Sequence, residues 1–114
     1  TYEFINCDAS HFNTSAIKGT TDMENITTIM NPPFGTKIKH ADKKFLESAV
    51  KFSGNIYSMH KSTTKDFLEA FSKDHQLTVG WCESTSFPLK NTYKMDVRRI
   101  QRIEVDIWYF HKQV

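Results

Sequence analysis

The sequence predicts an α/β fold: strands alternating with helices in a sheet that closes as an antiparallel hairpin. Three observations carry that prediction. Short β-branched or apolar runs alternate with segments whose apolar residues fall at helical spacing. Prolines and polar clusters punctuate the boundaries between them. The earlier runs are separated by helical patterns, as a parallel sheet requires, whereas the last two are not.

Taken in order, Tyr2 to Cys7 is short and apolar, and reads as a strand that breaks at Asp8-Ala9-Ser10. Residues Asn13 to Asn25 are polar, with Gly19 and several Thr and Ser, and read as a loop. Ile26 to Met30 is β-branched and apolar, a strand that stops at Asn31-Pro32-Pro33-Phe34-Gly35. Two prolines cannot continue a central strand. From Ala41 the period changes: Ala41, Phe45, Leu46, Ala49 and Val50 form a helical stripe, ended by Gly54. Asn55 to Met59 is a short strand. Ser62-Thr63-Thr64 offers caps, with Asp66 three residues after Thr63, for a helix whose apolar face is Phe67, Leu68, Ala70 and Phe71. Leu77 to Cys82 is a strand, followed by a loop interrupted by Pro88. Ile103 to Phe110 is the last strand, apolar enough to be covered on both faces.

Composition bounds the rest. With 114 residues, the chain is one domain at most. It is 39% hydrophobic and 25% charged, a globular balance. The formal charge of +2 is too near neutral to name a partner, so basic patches must be sought locally. No apolar run approaches the roughly 18 residues of a membrane span. Cys7 and Cys82 make no disulfide framework and are expected as buried packing residues. The expected location is intracellular, in cytoplasm or nucleus (nucleolus). The five His are scattered and there is no CxxC pair, so no metal site is expected.

Asn31-Pro32-Pro33-Phe34 carries the chemistry. It follows a strand directly, and in open α/β sheets ligands bind beyond the carboxyl ends of strands. The Asn31 side-chain carbonyl and the Pro32 backbone carbonyl can each accept a hydrogen bond from an exocyclic amine. The prolines hold those acceptors at a fixed separation. Phe34 can stack on a base. Accepting from the amine N–H localises the nitrogen lone pair as the nitrogen becomes tetrahedral, which improves a weak nucleophile without ionising it. A bare strand-to-turn stop is the plainer reading of the same residues.

The tetrad resembles the (Asp/Asn/Ser)-Pro-Pro-(Tyr/Phe) signature of class I amino-methyltransferases. Longer stretches narrow the resemblance: Asn31 to Lys37, Asp42, Phe45-Leu46, Tyr57-Ser58, His60-Lys61, Phe87-Pro88-Leu89, Thr92-Tyr93-Lys94 and Ile103-Glu104-Val105-Asp106. In this order they are similar to the methyltransferase-like protein 5 family, small-subunit ribosomal RNA adenine N6-methyltransferases. The resemblance covers about Ile5 to Phe110. It implies a Rossmann-like class I methyltransferase sheet, of which the chain is the C-terminal portion, and S-adenosylmethionine as cofactor. It also implies Asn31, Pro32, Pro33 and Phe34 as catalytic residues. By the same resemblance, Asp8 is expected on the cofactor's adenine side, with Asn31 also touching the cofactor. Family members carry further N-terminal strands with a glycine-rich cofactor loop. With four Gly and no such loop, residues 1–114 are expected to be one methyltransferase domain incomplete at its N-terminus. The family also implies a heterodimer with a small zinc-binding activator protein, paired along the strand Tyr2 to Cys7.

Two basic stretches would face ribosomal RNA: Lys37, Lys39, Lys43 and Lys44, and Lys90, Lys94, Arg98, Arg99 and Arg102 around Tyr93. Lys37, Tyr93 and Lys94 are expected at the substrate. His60 and Lys61, just after a strand, are read either as proton or phosphate contacts on the substrate side or as part of a helix cap. Glu104 and Asp106 are read as structural. Two alternatives to the rRNA reading stay open. One is an amino-methyltransferase acting on DNA or protein glutamine; the other is a noncatalytic RNA-binding or ribosome-associated remnant.

Overall fold

The computed structural model describes residues 4–12, 23–33, 41–90 and 100–112. Its regular elements run in the order β1 (Thr27–Met30), α1 (Lys43–Phe52), β2 (Asn55–Lys61), α2 (Lys65–Asp74), β3 (Leu77–Lys90) and β4 (Ile100–Lys112). The strands form one sheet ordered β1-β2-β4-β3. β1 and β2 are parallel, joined across α1, and β4 is antiparallel to both β2 and β3. The expected antiparallel close is therefore present.

Register explains the layering. Ile56 lies opposite Phe110, Ser58 opposite Trp108 and His60 opposite Asp106. Thr28 and Met30 continue that face onto β1. Both helices cover it: Leu46 and Ala49 of α1 and Leu68 and Phe71 of α2 join Ile56, Leu77, Trp108 and Phe110 in one core. Each fully buried Leu, Ile or Phe contributes on the order of 1.5–3 kcal/mol relative to exposure. Among the described residues, no helix covers the opposite face. Ile29 is 83% exposed there, and Trp81 and Phe87 are also exposed. Tyr57 stacks on Tyr109 at 4.6 Å beside Trp81.

Several expectations are corrected. The described part of the expected first strand, Phe4–Cys7, forms no strand and is exposed. A strand exists through ladder bonds to a neighbour, and the sheet's ladders do not include this segment. Asp8 to Phe12 docks on α1 instead: Ser48 Oγ donates to the Ala9 carbonyl at 2.7 Å, and Phe12 meets Phe52 edge-on at 5.0 Å. The expected loop around Pro88 is strand, with Pro88 opposite Arg102. β3 lies at the edge of the sheet, where a residue without an N–H leaves no second partner unsatisfied. The capping box before α2 is absent. Ser62–Thr64 makes a single 3₁₀ turn in which Thr64 Oγ1 donates back to the Lys61 carbonyl, at 2.7 Å. Cys7 and Cys82 are exposed rather than buried.

Candidate active site

β1 ends at Met30, and the chain leaves the sheet through Asn31-Pro32-Pro33 because neither proline can donate to a ladder. Pro32 is buried, while Asn31 and Pro33 are exposed. The three line a cleft of about 350 Å³ between the end of β1 and α1. Met30, Phe45, Ala49 and Phe52 give it apolar walls, and Ala9 closes one side. An apolar slot with amide and carbonyl groups at its rim suits a planar heteroaromatic ring.

Asp8 stands beside this cleft as the cap of the 3₁₀ turn Ala9–His11. Its Oδ1 accepts from Ser10 N at 2.9 Å and from Ser10 Oγ at 2.7 Å. Those two bonds, with a smaller contribution from His11, hold its carboxyl at a pKa of about 2. Hydrogen bonds to the charged form are the cause, so Asp8 is a committed acceptor at neutral pH. Asn31 on the cleft's rim and Asp8, next to the cleft-lining Ala9, are thus brought to one cleft beside α1. These residues fit the adenosine part of S-adenosylmethionine: the cleft would take the purine, and the Asp8 carboxylate would accept from its exocyclic amine.

His60 is placed otherwise than expected. It is 0% exposed and presents nothing to an RNA backbone. Its Nδ1 lies 2.6 Å from Asp42 Oδ2 and its Nε2 lies 2.7 Å from Ser58 Oγ. With Nδ1 protonated, the ring donates to Asp42 and accepts the Ser58 hydroxyl. Lys61 ends β2 on the opposite face, half-buried. Phe34, Lys37, Tyr93 and Lys94 lie outside the described residues, as do Lys39, Arg98 and Arg99. Lys43 and Lys44 are exposed on the first turn of α1, and Arg102 Nε donates to Ser86 Oγ at 3.2 Å. No group of His, Cys, Asp and Glu among the described residues could hold a metal.

Sequence reasoning assigned no site role to Asp42 and Ser58, and none to Asp106 beyond structure. Asp106 is buried and accepts from Ser62 Oγ and Ser84 Oγ, each at 2.7 Å. A signal for Ser58 was available: two residues from His60 on a strand, it must share that residue's face.

No protein-family model matches the chain. It is 32% identical over 84 residues to an uncharacterized protein of Methanocaldococcus jannaschii, spanning 74% of this chain and 38% of that one. It is 29% identical over 111 residues to the rRNA N(6)-adenosine-methyltransferase METTL5 of Danio rerio, spanning 96% of this chain and 54% of that one. The Drosophila melanogaster Mettl5 is 31% identical over 86 residues, 74% of this chain and 40% of that one. The chain is a METTL5 homologue.

Solved structures agree on the fold. A Pyrococcus horikoshii protein described as a "putative RNA methyltransferase" superposes with TM-score 0.72 and 34% identity, over 94% of this chain and 49% of that one. A Thermoplasma acidophilum protein gives TM-score 0.65 and 27% identity, over 94% and 53%. The mixed sheet ending in antiparallel strands is thus that of a class I methyltransferase, as the METTL5 resemblance implied. The chain spans 38% to 54% of the length of the METTL5 relatives and the M. jannaschii protein.

Proposed function

We propose that this chain carries the acceptor side of an S-adenosylmethionine-dependent N6-adenine methyltransferase acting on small-subunit ribosomal RNA. The observation that supports it most is the placement of Asn31-Pro32-Pro33 at the carboxyl end of β1, on the rim of an apolar cleft next to Asp8. The METTL5 homologues support rRNA adenine as the acceptor.

When bound, S-adenosylmethionine supplies an electrophilic methyl group. The residues of this chain prepare the other partner. Asn31 Oδ1 accepts one N6 hydrogen of the adenine and the Pro32 carbonyl accepts the second. Together they would hold the amine in the geometry of a tetrahedral nitrogen, with its lone pair localised for attack. Phe34 stacks the base. An adenine inside a duplex cannot present its amine to Asn31 and Pro32, so the target nucleotide is unpaired or flipped out. The exposed Lys43 and Lys44 offer phosphate contacts on the same side.

The zinc-binding activator belongs to the same proposal. Phe4, 90% exposed, and Ile5, 44% exposed, form an apolar segment that supports strand addition by such a partner. The intracellular location follows from the rRNA substrate.

Asn31→Ala tests the reading. Losing one preorganised acceptor costs roughly 10²–10³-fold in kcat, by analogy with oxyanion donors. Methylation of rRNA by the variant at the parent rate refutes the assignment. RNA binding with no methylation by the parent protein would favour the noncatalytic reading.

A further inference from the structure

β3 and β4 run past the end of β2. The β2–β4 ladder ends at Lys61 opposite Val105, but the β3–β4 ladder goes on for five pairs, from Ser86 opposite Glu104 to Lys90 opposite Ile100. Because β1 and β2 are parallel, this two-stranded arm leaves the sheet at the end where Asn31-Pro32-Pro33 follows β1. Trp108 is level with Met30 through Ser58, and Glu104 stands four residues further along β4. That rise and two strand spacings put Glu104 roughly 16 Å from Met30 by ideal sheet geometry. A stacked strand of nucleic acid rises about 3.4 Å per nucleotide, so the gap is about five nucleotides.

The root of the arm is fixed. The buried Asp106 accepts from Ser62 Oγ, in the turn after β2, and from Ser84 Oγ of β3, each at 2.7 Å. Asp106, Glu104 and Arg102 alternate onto one face of β4. Beyond Asp106 that face is exposed at Ser86, Glu104 and Arg102. Ser84, Thr85, Ser86 and Glu104 line a groove of about 240 Å³ on the arm. Arg102 Nε donates to Ser86 Oγ at 3.2 Å. That bond uses one of the five guanidinium donors, and the Ser86 hydroxyl still has its own proton to give. The groove thus sets a hydroxyl donor beside a carboxylate acceptor, with a cation next to both. Phosphates repel a carboxylate, so Glu104 suits an RNA only where it accepts from a base amine, as Glu does from N4 of cytosine.

We infer that this groove is a second RNA subsite, which reads one unpaired base a few nucleotides from the target adenine. It takes a base with an amine beside a ring nitrogen, cytosine or adenine. Glu104 accepts from the amine, Ser86 donates to the ring nitrogen, and Arg102 meets a phosphate. Uracil presents a carbonyl and an N–H in those two places, the wrong way round for both side chains. The inference rests on the reading of RNA as substrate above, and adds which flanking base the enzyme selects.

The test uses the full methyltransferase and single-stranded RNAs carrying the target adenine. Each of the nearest nucleotides on either side, about five by the spacing above, is presented in turn as cytosine and as uracil. Methylation gives kcat/KM, and fluorescence anisotropy of the same RNAs gives affinity without turnover. The expected result is one flanking position where the parent prefers cytosine by at least about fivefold in both readouts, the low end for a good base contact. Glu104→Gln should bring that preference within about twofold, because an amide offers both an acceptor and a donor and turns to suit either base. Ser86→Ala should weaken the same preference and no other. Both side chains are exposed, so both variants should melt as the parent does. A parent with no such position overturns the inference. So does a preference that survives Glu104→Gln, or a variant that loses affinity equally for every RNA. The acceptor-site reading fails separately: if Asn31→Ala leaves methylation unchanged, that reading falls, while the anisotropy preference still decides the subsite.

Discussion

Gly80 is where a single methyl group should be felt most sharply. It occupies the irregularity in β3 between Val79 and Trp81, and the Tyr109 ring of β4 lies across it. An added Cβ would clash with Tyr109 Cδ2 and sit 2.7 Å from Tyr109 Cε2. The ring cannot swing aside freely. It stacks on Tyr57 at 4.6 Å, and its hydroxyl donates to Asn55 Oδ1 at 2.7 Å. Losing the stack costs about 0.5–1.5 kcal/mol. Losing the hydrogen bond costs a further amount of about 0.5–1.5 kcal/mol. Against this, Ala in a strand interior gains about 0.5–1 kcal/mol over Gly. Gly80→Ala should therefore destabilise by about 1–2 kcal/mol, within the usual range of overpacking. Urea denaturation followed by tryptophan fluorescence reads the change, since Trp81 lies 6.4 Å from Tyr109. The sign should reverse once the ring is gone: in a Tyr109→Ala background, Gly80→Ala should be neutral or stabilising. Equal destabilisation in both backgrounds would refute the steric argument and place the cause in the backbone instead.

Two further outcomes follow from local geometry. Asp8 should titrate near pH 2, and Ser10→Ala should move it back toward the ordinary value of 3.8, as read by NMR of its carboxyl. Because its folded value is depressed, any stability it lends is present above the unfolded value and is lost as pH falls through the folded one. Unchanged titration in Ser10→Ala would show that the turn does not hold the carboxylate. Gln76 ends the α2 turn at φ 56°, where a side chain costs roughly 1–2 kcal/mol. Gln76→Gly should stabilise the protein by about 1 kcal/mol in the same denaturation assay, the gain being trimmed by the entropy of an unfolded glycine.

Local pattern was enough wherever local chemistry decides. The apolar spacing of Leu46, Ala49 and Val50, and of Phe67, Leu68 and Phe71, placed both helices to within a few residues. The β-branched run to Met30 and its proline stop marked β1, and with it the position of the tetrad. The segment at Phe4–Cys7 misled because its composition is that of a strand while strand formation depends on a neighbour's hydrogen bonds. Pro88 misled in the opposite direction: a proline inside a polar run reads as a loop until the sheet order shows it on an outer strand. Thr64 was expected to cap α2 and bonds instead to the Lys61 carbonyl, one local partner chosen over another of similar strength.

The amino-acid sequence by itself determined the order of elements from β1 onward, the antiparallel close of the sheet and the place of Asn31-Pro32-Pro33 directly after β1, because each is marked by residues close together in the chain. Only the tertiary structure decided what His60 does. Its partners Ser58 and Asp42 stand two and eighteen residues away in sequence. Whether an imidazole faces a phosphate or a buried carboxylate depends on the helix packed above it, and local spacing does not encode that packing.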